Sequence, residues 1–263
     1  MNIQGSRPNV ILDEIESNGS VNVVDLAKAL NVSEMTIRRD LVALEKEGLI
    51  RRIHGGAVSA RGRNYEPPLY LRSSTNIEVK QLLGKYAADM VAEGDSLSLD
   101  VGSTMYEIAT NLARRQNLTV LTPSLHIGAL LMQQPNIRVI LTGGILRHTE
   151  GSLIGEFARQ MIERIFVDRL FLAVGAIDAQ AGFTEYNVDD TLIKQAMIKN
   201  AKEVIVVADS SKFQTTAFSL VGPLTIARQL ITDQVPPEPL FSSLKRAGVV
   251  INVVGKNEDV QIF

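Results

Sequence analysis

Along the first sixty residues, apolar positions recur with the spacing of short helices. Between Ser33 and Gly48, Ile37, Leu41 and Leu44 fall at i, i+4 and i+7 and predict a single buried stripe. Ser33 suits the start of that helix, where its hydroxyl accepts from a first-turn N–H, and Gly48 suits a left-handed stop. Upstream, Val10, Ile11, Leu12 and Ile15 predict a helix from about Pro8 to Ser17, ended by Asn18-Gly19. Val24, Ala27 and Leu30 keep one face of a second helix apolar, and Asn31-Val32 makes a tight turn into Ser33. Leu49-Ile50 and Ala57-Val58 read as paired strands about His54-Gly55-Gly56.

From about Asn76 helices and short apolar strands alternate. The expected strands are Ser96–Asp100, Leu118–Thr122, Arg138–Thr142, Leu170–Val174, Val204–Ala208, Gln229–Thr232 and Val249–Val254. The helices between them are Thr104–Arg114, Leu125–Gln133, Phe157–Ile165, Asp189–Asn200 and Leu240–Ala247. This alternation predicts an α/β domain with a mainly parallel sheet covered on both faces. Residues 60–74, with Gly62 and the pair Pro67-Pro68, read as a linker stiffened toward an extended form. The expected division is therefore a winged helix-turn-helix domain over 1–58, a linker over 59–75 and a larger domain over 76–263.

Charge gives the small domain a candidate role. The whole chain has a formal net charge of -2, yet residues 1–63 carry +1, and four Arg with no acid fall between Arg51 and Arg63. At about 100° per residue, Met35 and Arg39 stand opposite the apolar stripe of the third helix, flanked by Thr36 and Arg38. A helix presenting Ser33, Thr36 and two Arg fits a DNA major groove, because guanidinium forks match guanine edges and phosphates while hydroxyls match phosphate oxygens. By itself the same face is equally a solvated Arg–Asp surface. Two short helices, a tight turn and an Arg-bearing third helix make the helix-turn-helix arrangement. The hairpin after it would be a wing, with Arg51, Arg52 and His54 placed for phosphate or a minor groove. The plainer reading is a turn that closes the mini-domain.

In open parallel sheets ligands bind beyond the carboxyl ends of the strands. Those positions hold Asp100-Val101-Gly102-Ser103-Thr104, Thr142-Gly143-Gly144, Gly175-Ala176-Ile177-Asp178 and Asp209-Ser210-Ser211-Lys212. Glycine allows close backbone approach, hydroxyls donate, and free N–H groups at a helix start complete an anion site. Each segment alone reads as a capped turn; together they favour a phosphorylated polyol or sugar. No Gly-x-Gly-x-x-Gly opens the domain, which argues against a dinucleotide.

Other chemistries find little support. Cysteine is absent, which excludes disulfides and thiolate chemistry. His54, His126 and His148 are far apart, without metal-ligand spacing, and there is no Gly-x-Ser-x-Gly nucleophile elbow. No cofactor and no catalytic residue is expected. No signal-peptide pattern opens the chain and no apolar run reaches membrane-spanning length, so a cytoplasmic location is expected, without membrane partners.

The run Val32-Ser33-Glu34-Met35-Thr36-Ile37-Arg38-Arg39-Asp40-Leu41, followed by Leu44–Ile50 and Arg52–Ala57, resembles the winged helix of the DeoR family of bacterial transcription repressors over residues 8–58. The segments Asp100–Thr104, Thr142–Gly144, Gly175–Asp178 and Ala208–Phe213 are similar to that family's sugar-phosphate-sensing domain, whose fold is like ribose-5-phosphate isomerase. The resemblance implies that Gly102, Ser103 and Thr104 hold phosphate. It further implies that Asp100, Asp178, Lys212 and the Gly143-Gly144 turn line the site. It places Lys194 where the isomerases carry a catalytic Glu, which removes a general base and favours binding without turnover. The implied protein is a repressor of a carbohydrate-utilisation operon, controlled by a phosphorylated sugar and acting as a homodimer or homotetramer on operator DNA. A sugar-phosphate isomerase with a regulatory DNA-binding module is the alternative.

Overall fold

The computed structural model describes residues 7–18, 20–53, 55–59, 62–256 and 259–263. They belong to two compact units, Met1–Thr75 and Asn76–Phe263.

The first unit runs α1 (Arg7–Asn18), β1 (Ser20–Asn22), α2 (Val23–Ala29), α3 (Glu34–Lys46), β2 (Ile50–Ile53), β3 (Gly56–Ser59) and α4 (Leu69–Ser74). Ile37, Leu41 and Leu44 of α3 are buried against Ile11 and Ile15 of α1 and Leu26 of α2, as the spacing requires. Burying each such side chain contributes about 1.5–3 kcal/mol, and Leu41→Ala would cost about 2–5 kcal/mol. Ser33 caps α3 by accepting from Thr36 N at 3.2 Å, and Gly48 leaves the helix with φ +72°. The hairpin β2–β3 is present and gains a third strand, because β1 pairs antiparallel with β3.

The stretch expected as a linker is instead packed on this unit. Tyr65 and Leu71 lie against its core, Arg72 pairs with Glu66 at 3.1 Å, and Asn9 donates to Ser74 Oγ at 2.8 Å. Pro68 precedes α4 rather than prolonging an extended segment, since proline is tolerated where a helix begins.

The second unit contains α5 (Ile77–Asp89), β4 (Ser96–Leu99), α6 (Ser103–Leu112), β5 (Leu118–Thr122), α7 (Leu125–Leu131) and β6 (Ile137–Leu141). The hairpin β7 (Ile145–Arg147) and β8 (Ser152–Ile154) follows, then α8 (Glu156–Ile162) and β9 (Val167–Leu172). Next come β10 (Ala176–Asp178), β11 (Gly182–Glu185), α9 (Val188–Lys199), β12 (Ala201–Val207) and β13 (Ser219–Gly222). β14 (Gln229–Thr232), α10 (Leu240–Arg246), β15 (Val250–Val254) and β16 (Val260–Ile262) close the unit.

All seven expected strands enter one sheet of order β16-β15-β14-β12-β9-β4-β5-β6, in which only the β15–β16 pairing is antiparallel. Successive residues of a strand point to opposite faces. Leu170, Leu172, Val204 and Val206 accordingly pack under α8, α9 and α10, while Phe171, Ile205 and Val207 pack under α5, α6 and α7. Asp100, Thr142, Val174 and Ala208, expected as the last residues of strands, lie just beyond them. The chain also leaves the main sheet twice where helices were expected to follow directly. β7 and β8 pair as a hairpin, and β10-β11-β13 form a small antiparallel sheet.

Candidate nucleic-acid interface and effector site

The exposed face of α3 carries the residues expected there. Met35 is 67% exposed, Arg38 and Arg39 are exposed, and Thr36 is half-buried. Ser33 Oγ and Thr36 Oγ1 are 2.8 Å apart, so the two hydroxyls bond one another within the cap while remaining at the surface. Arg38 lies 3.5 Å from Glu34 one turn earlier, an open contact of little energy. Asp40 is held bidentately by Arg7, so it does not neutralise its neighbour. Arg39 makes no hydrogen bond or ion pair among the described residues, and its five donors face solvent.

The two wing arginines differ. Arg51 has no side-chain partner among the described residues. Arg52, expected to reach DNA, donates from Nε to Glu45 Oε2 at 2.6 Å and from its backbone N to Glu45 Oε1 at 2.9 Å. These bonds hold the Glu45 carboxyl below its usual range and tie β2 to α3. Arg52 therefore ties the wing to the helix in the free chain, a pairing that spacing alone did not reveal. His54 lies outside the described residues.

In the second unit the carboxyl ends of β4 and β9 bring Asp100 to α9. Asp100 is 1% exposed, and its Oδ2 accepts from Ala173 N at 3.1 Å and from Lys194 Nζ. Lys194, itself 1% exposed, also donates to Ala173 O at 3.1 Å and lies 3.3 Å from Glu185 Oε2. An ammonium has three donors, and all three are engaged within the protein. Burial pushes the Asp100 carboxyl up to about 6 even though Lys194 pulls it down. For Lys194 burial acts to lower the pKa, but Asp100 and then Glu185 outweigh it, so the ammonium is held charged. One turn earlier on α9, Asp190 accepts from Arg147 Nε at 2.7 Å and Ser152 Oγ at 2.8 Å. Glu185 had no distinguishing signal in the sequence: it ends a four-residue antiparallel strand and meets Lys194 only through the fold.

Beside this cluster Gly102 turns the chain into α6 with φ +118°, a conformation L side chains avoid. Ser103 and Thr104 open the helix, are 8% and 9% exposed, and make no side-chain hydrogen bond among the described residues. Their hydroxyls and the free N–H groups of the first turn are open donors. At the end of β12, Asp209 caps the short turn Ser210–Lys212. Burial acts to raise its carboxyl, yet Lys212, the Ser211 hydroxyl and Lys80 together hold it below its usual value. Lys80, a buried cation on α5, was not anticipated.

Asp178 and the Gly143-Gly144 turn also serve the fold. Asp178 Oδ1 accepts from Gln180 N at 2.9 Å and Ala181 N at 2.8 Å, which turns the β10–β11 hairpin and holds the carboxyl below its usual range. That hairpin runs back from the carboxyl edge. Its Gln180 and Gly182 line a cavity with Arg246 and Ala247, and Ala247 also lines one with Asp95, Ala201 and Gly248 at the amino ends of the strands. Gly144 is required by packing, since a Cβ there would lie 2.4 Å from Ile154 O; the Gly143-Gly144 turn itself is exposed. Among the described residues no cluster could hold a metal ion and no helix is long and apolar enough to cross a membrane.

A winged helix with an open cationic face, joined to an α/β unit with buried charge at its carboxyl edge, defines a DNA-binding transcriptional regulator. Residues 7–62 match the DeoR-like helix-turn-helix domain and residues 75–234 the DeoR C-terminal sensor domain. The chain belongs to the DeoR family of transcriptional repressors. It is 32% identical over 241 residues to the glycerol-3-phosphate regulon repressor of Escherichia coli (strain K12), covering 92% of this chain and 95% of that protein. It is 31% identical over 247 residues to the HTH-type transcriptional regulator GolR of Listeria innocua, covering 94% and 97%. Among solved structures, ribose 5-phosphate isomerase A from Methanocaldococcus jannaschii matches with a TM-score of 0.40 and 20% identity over 52% of this chain and 55% of that one.

Proposed function

We propose that this repressor controls a carbohydrate-utilisation operon from the cytoplasm, as a homodimer or homotetramer, and leaves its operator when a phosphorylated sugar or polyol binds. The observation that carries the effector class is the pair of unengaged hydroxyls on Ser103 and Thr104 at the start of α6, adjoining Asp100. Hydroxyls and first-turn N–H groups hold a phosphate, and the helix dipole favours its charge. Lys212 supplies a further cation just beyond β12, two strands from β4 in the sheet, while Lys194 organises Asp100 and Glu185 rather than the ligand. A relative named for the glycerol-3-phosphate regulon supports a phosphorylated polyol class.

Binding without turnover is supported by the same cluster. Proton transfer needs a carboxylate with freedom to accept a proton from substrate. Asp100 and Glu185 are both committed to Lys194. For the ligand to act as a switch, it must bind the DNA-competent and DNA-incompetent arrangements with different affinity.

The test is a mobility-shift assay with the DNA upstream of the protein's own gene, titrated with a panel of sugar phosphates and their unphosphorylated parents. The expected result is a specific complex lost with a phosphorylated member only, and the same member raises the melting temperature. Loss with unphosphorylated sugars alone would overturn the effector class. Interconversion of pentose or hexose phosphates by the purified protein would restore the isomerase reading.

A further inference from the structure

We infer that the outer face formed by α8, α9 and β13 is the contact between two copies of this chain, a location for the oligomeric reading above on which it rests. Six large apolar side chains stand exposed there: Ile145 at 66%, Phe157 at 79%, Val188 and Leu192 at 48%, Phe218 at 59% and Leu220 at 55%. The elements that carry them adjoin one another. α8 packs on α9 and α9 on β13; Gln195, one turn beyond Leu192, donates to Leu220 O at 3.0 Å. Ile145 lies against Gly155, the residue that opens α8 two positions before Phe157.

Together these side chains present on the order of 500 Å² of apolar surface, at the upper end of what a monomer leaves in water. That supplies most of the ~800 Å² each partner contributes to a stable interface. The occupant is a second copy because the face is suited to meet itself. Arg159 bonds both Glu156 at 2.8 Å and Glu163 at 2.7 Å, so the charged border of α8 is largely neutralised internally and identical faces repel little. A two-fold axis sets one patch against its own image, and winged helices read paired half-sites in that symmetry. The same helix that carries Val188 and Leu192 outward carries Asp190 and Lys194 inward.

The chain has no cysteine, so Leu192→Cys and Ile262→Cys each create a single thiol in the full-length protein. Sedimentation and maleimide labelling are measured on both, with Ile262, 66% exposed on the last strand, as the reference. The expected result is an assembly of two or more copies in which the thiol at 192 labels at least about tenfold more slowly, the rates converging on dilution to monomer. Phe157→Asp is expected to sediment as a monomer with unchanged helical circular dichroism; should it fail to fold, the labelling pair decides. Fast labelling at 192 in an assembled protein overturns this face and leaves the oligomeric reading standing. A monomeric wild type overturns both. Slow labelling in a monomer likewise overturns the proposal.

Discussion

Arg39 and Lys194 are each the central cation of a functional region, but one faces water with all five donors open and the other faces two carboxylates and a carbonyl with none. An exposed guanidinium costs little to leave unpaired and keeps its hydrogen bonds for an incoming partner. A buried ammonium without partners costs several kcal/mol, so the fold must satisfy it before any ligand arrives. The DNA face is thus read from what is left free. The proposed effector site is read from the neutral donors beside an already satisfied charge, namely Ser103 and Thr104.

Breaking the buried side of that comparison should have the largest effect. Lys194→Met leaves Asp100 and Glu185 facing each other without a cation, and loss of one partner of a buried pair costs about 3–5 kcal/mol. Urea unfolding should show the drop, and adding Asp100→Asn should recover part of it. The same cluster predicts a pH dependence. Asp100 binds its proton more tightly in the folded chain, at about 6 against an ordinary 3.8, so its contribution to stability is complete below 3.8 and is lost as pH rises through 6. The urea midpoint of the wild type should therefore fall relative to Asp100→Asn between pH 4 and 7, and parallel curves would mean that Asp100 titrates normally.

The neutral donors come next. Each hydrogen bond to a charged group is worth about 1.5–3 kcal/mol, so Ser103→Ala with Thr104→Ala should weaken the sugar-phosphate response by about a hundredfold or more. Operator binding without ligand should be unchanged; a retained response moves the phosphate elsewhere. On the open side, Arg39→Ala should weaken operator binding about ten- to a hundredfold if it grips a base edge with both arms. A folded variant with wild-type affinity would remove Arg39 from the recognition surface.

What could be read in the sequence follows the same division. The third helix was legible because its determinants are local: the stripe of Ile37, Leu41 and Leu44, the cap at Ser33 and the stop at Gly48 all lie within sixteen residues. The rule that chemistry collects beyond parallel strands pointed to Asp100, while Lys194 was reached only through the family resemblance, which set it where the isomerases carry a catalytic Glu. The same rule pointed to Asp178, where the chain turns back as a hairpin and Oδ1 accepts from two backbone N–H groups. Glu185 and the pairing of Arg52 with Glu45 were invisible for one reason: each joins residues from different elements whose approach no periodicity encodes. Residues 65–74 misled because two prolines outweighed Leu69 and Leu71, although a proline before a helix is no obstacle to it.

The smallest expected effect tests the comparison within the wing itself, where free and committed cations sit side by side on one strand. A cation that neutralises a phosphate releases a counterion, and removing it lowers the slope of log K against log salt by about 1. Arg51 is unengaged, so Arg51→Ala should lower the slope by about that amount and weaken binding to all sequences alike. Arg52 already answers Glu45, so Arg52→Ala should change the slope less and act through the position of the wing instead. Glu45→Gln keeps the shape of the partner but frees the charge of Arg52, and in that background Arg52→Ala should recover a slope change close to that of Arg51→Ala. Equal slopes for Arg51→Ala and Arg52→Ala in the wild-type background would show that the ion pair opens on DNA, and the distinction between free and committed cations would then hold only for buried charge.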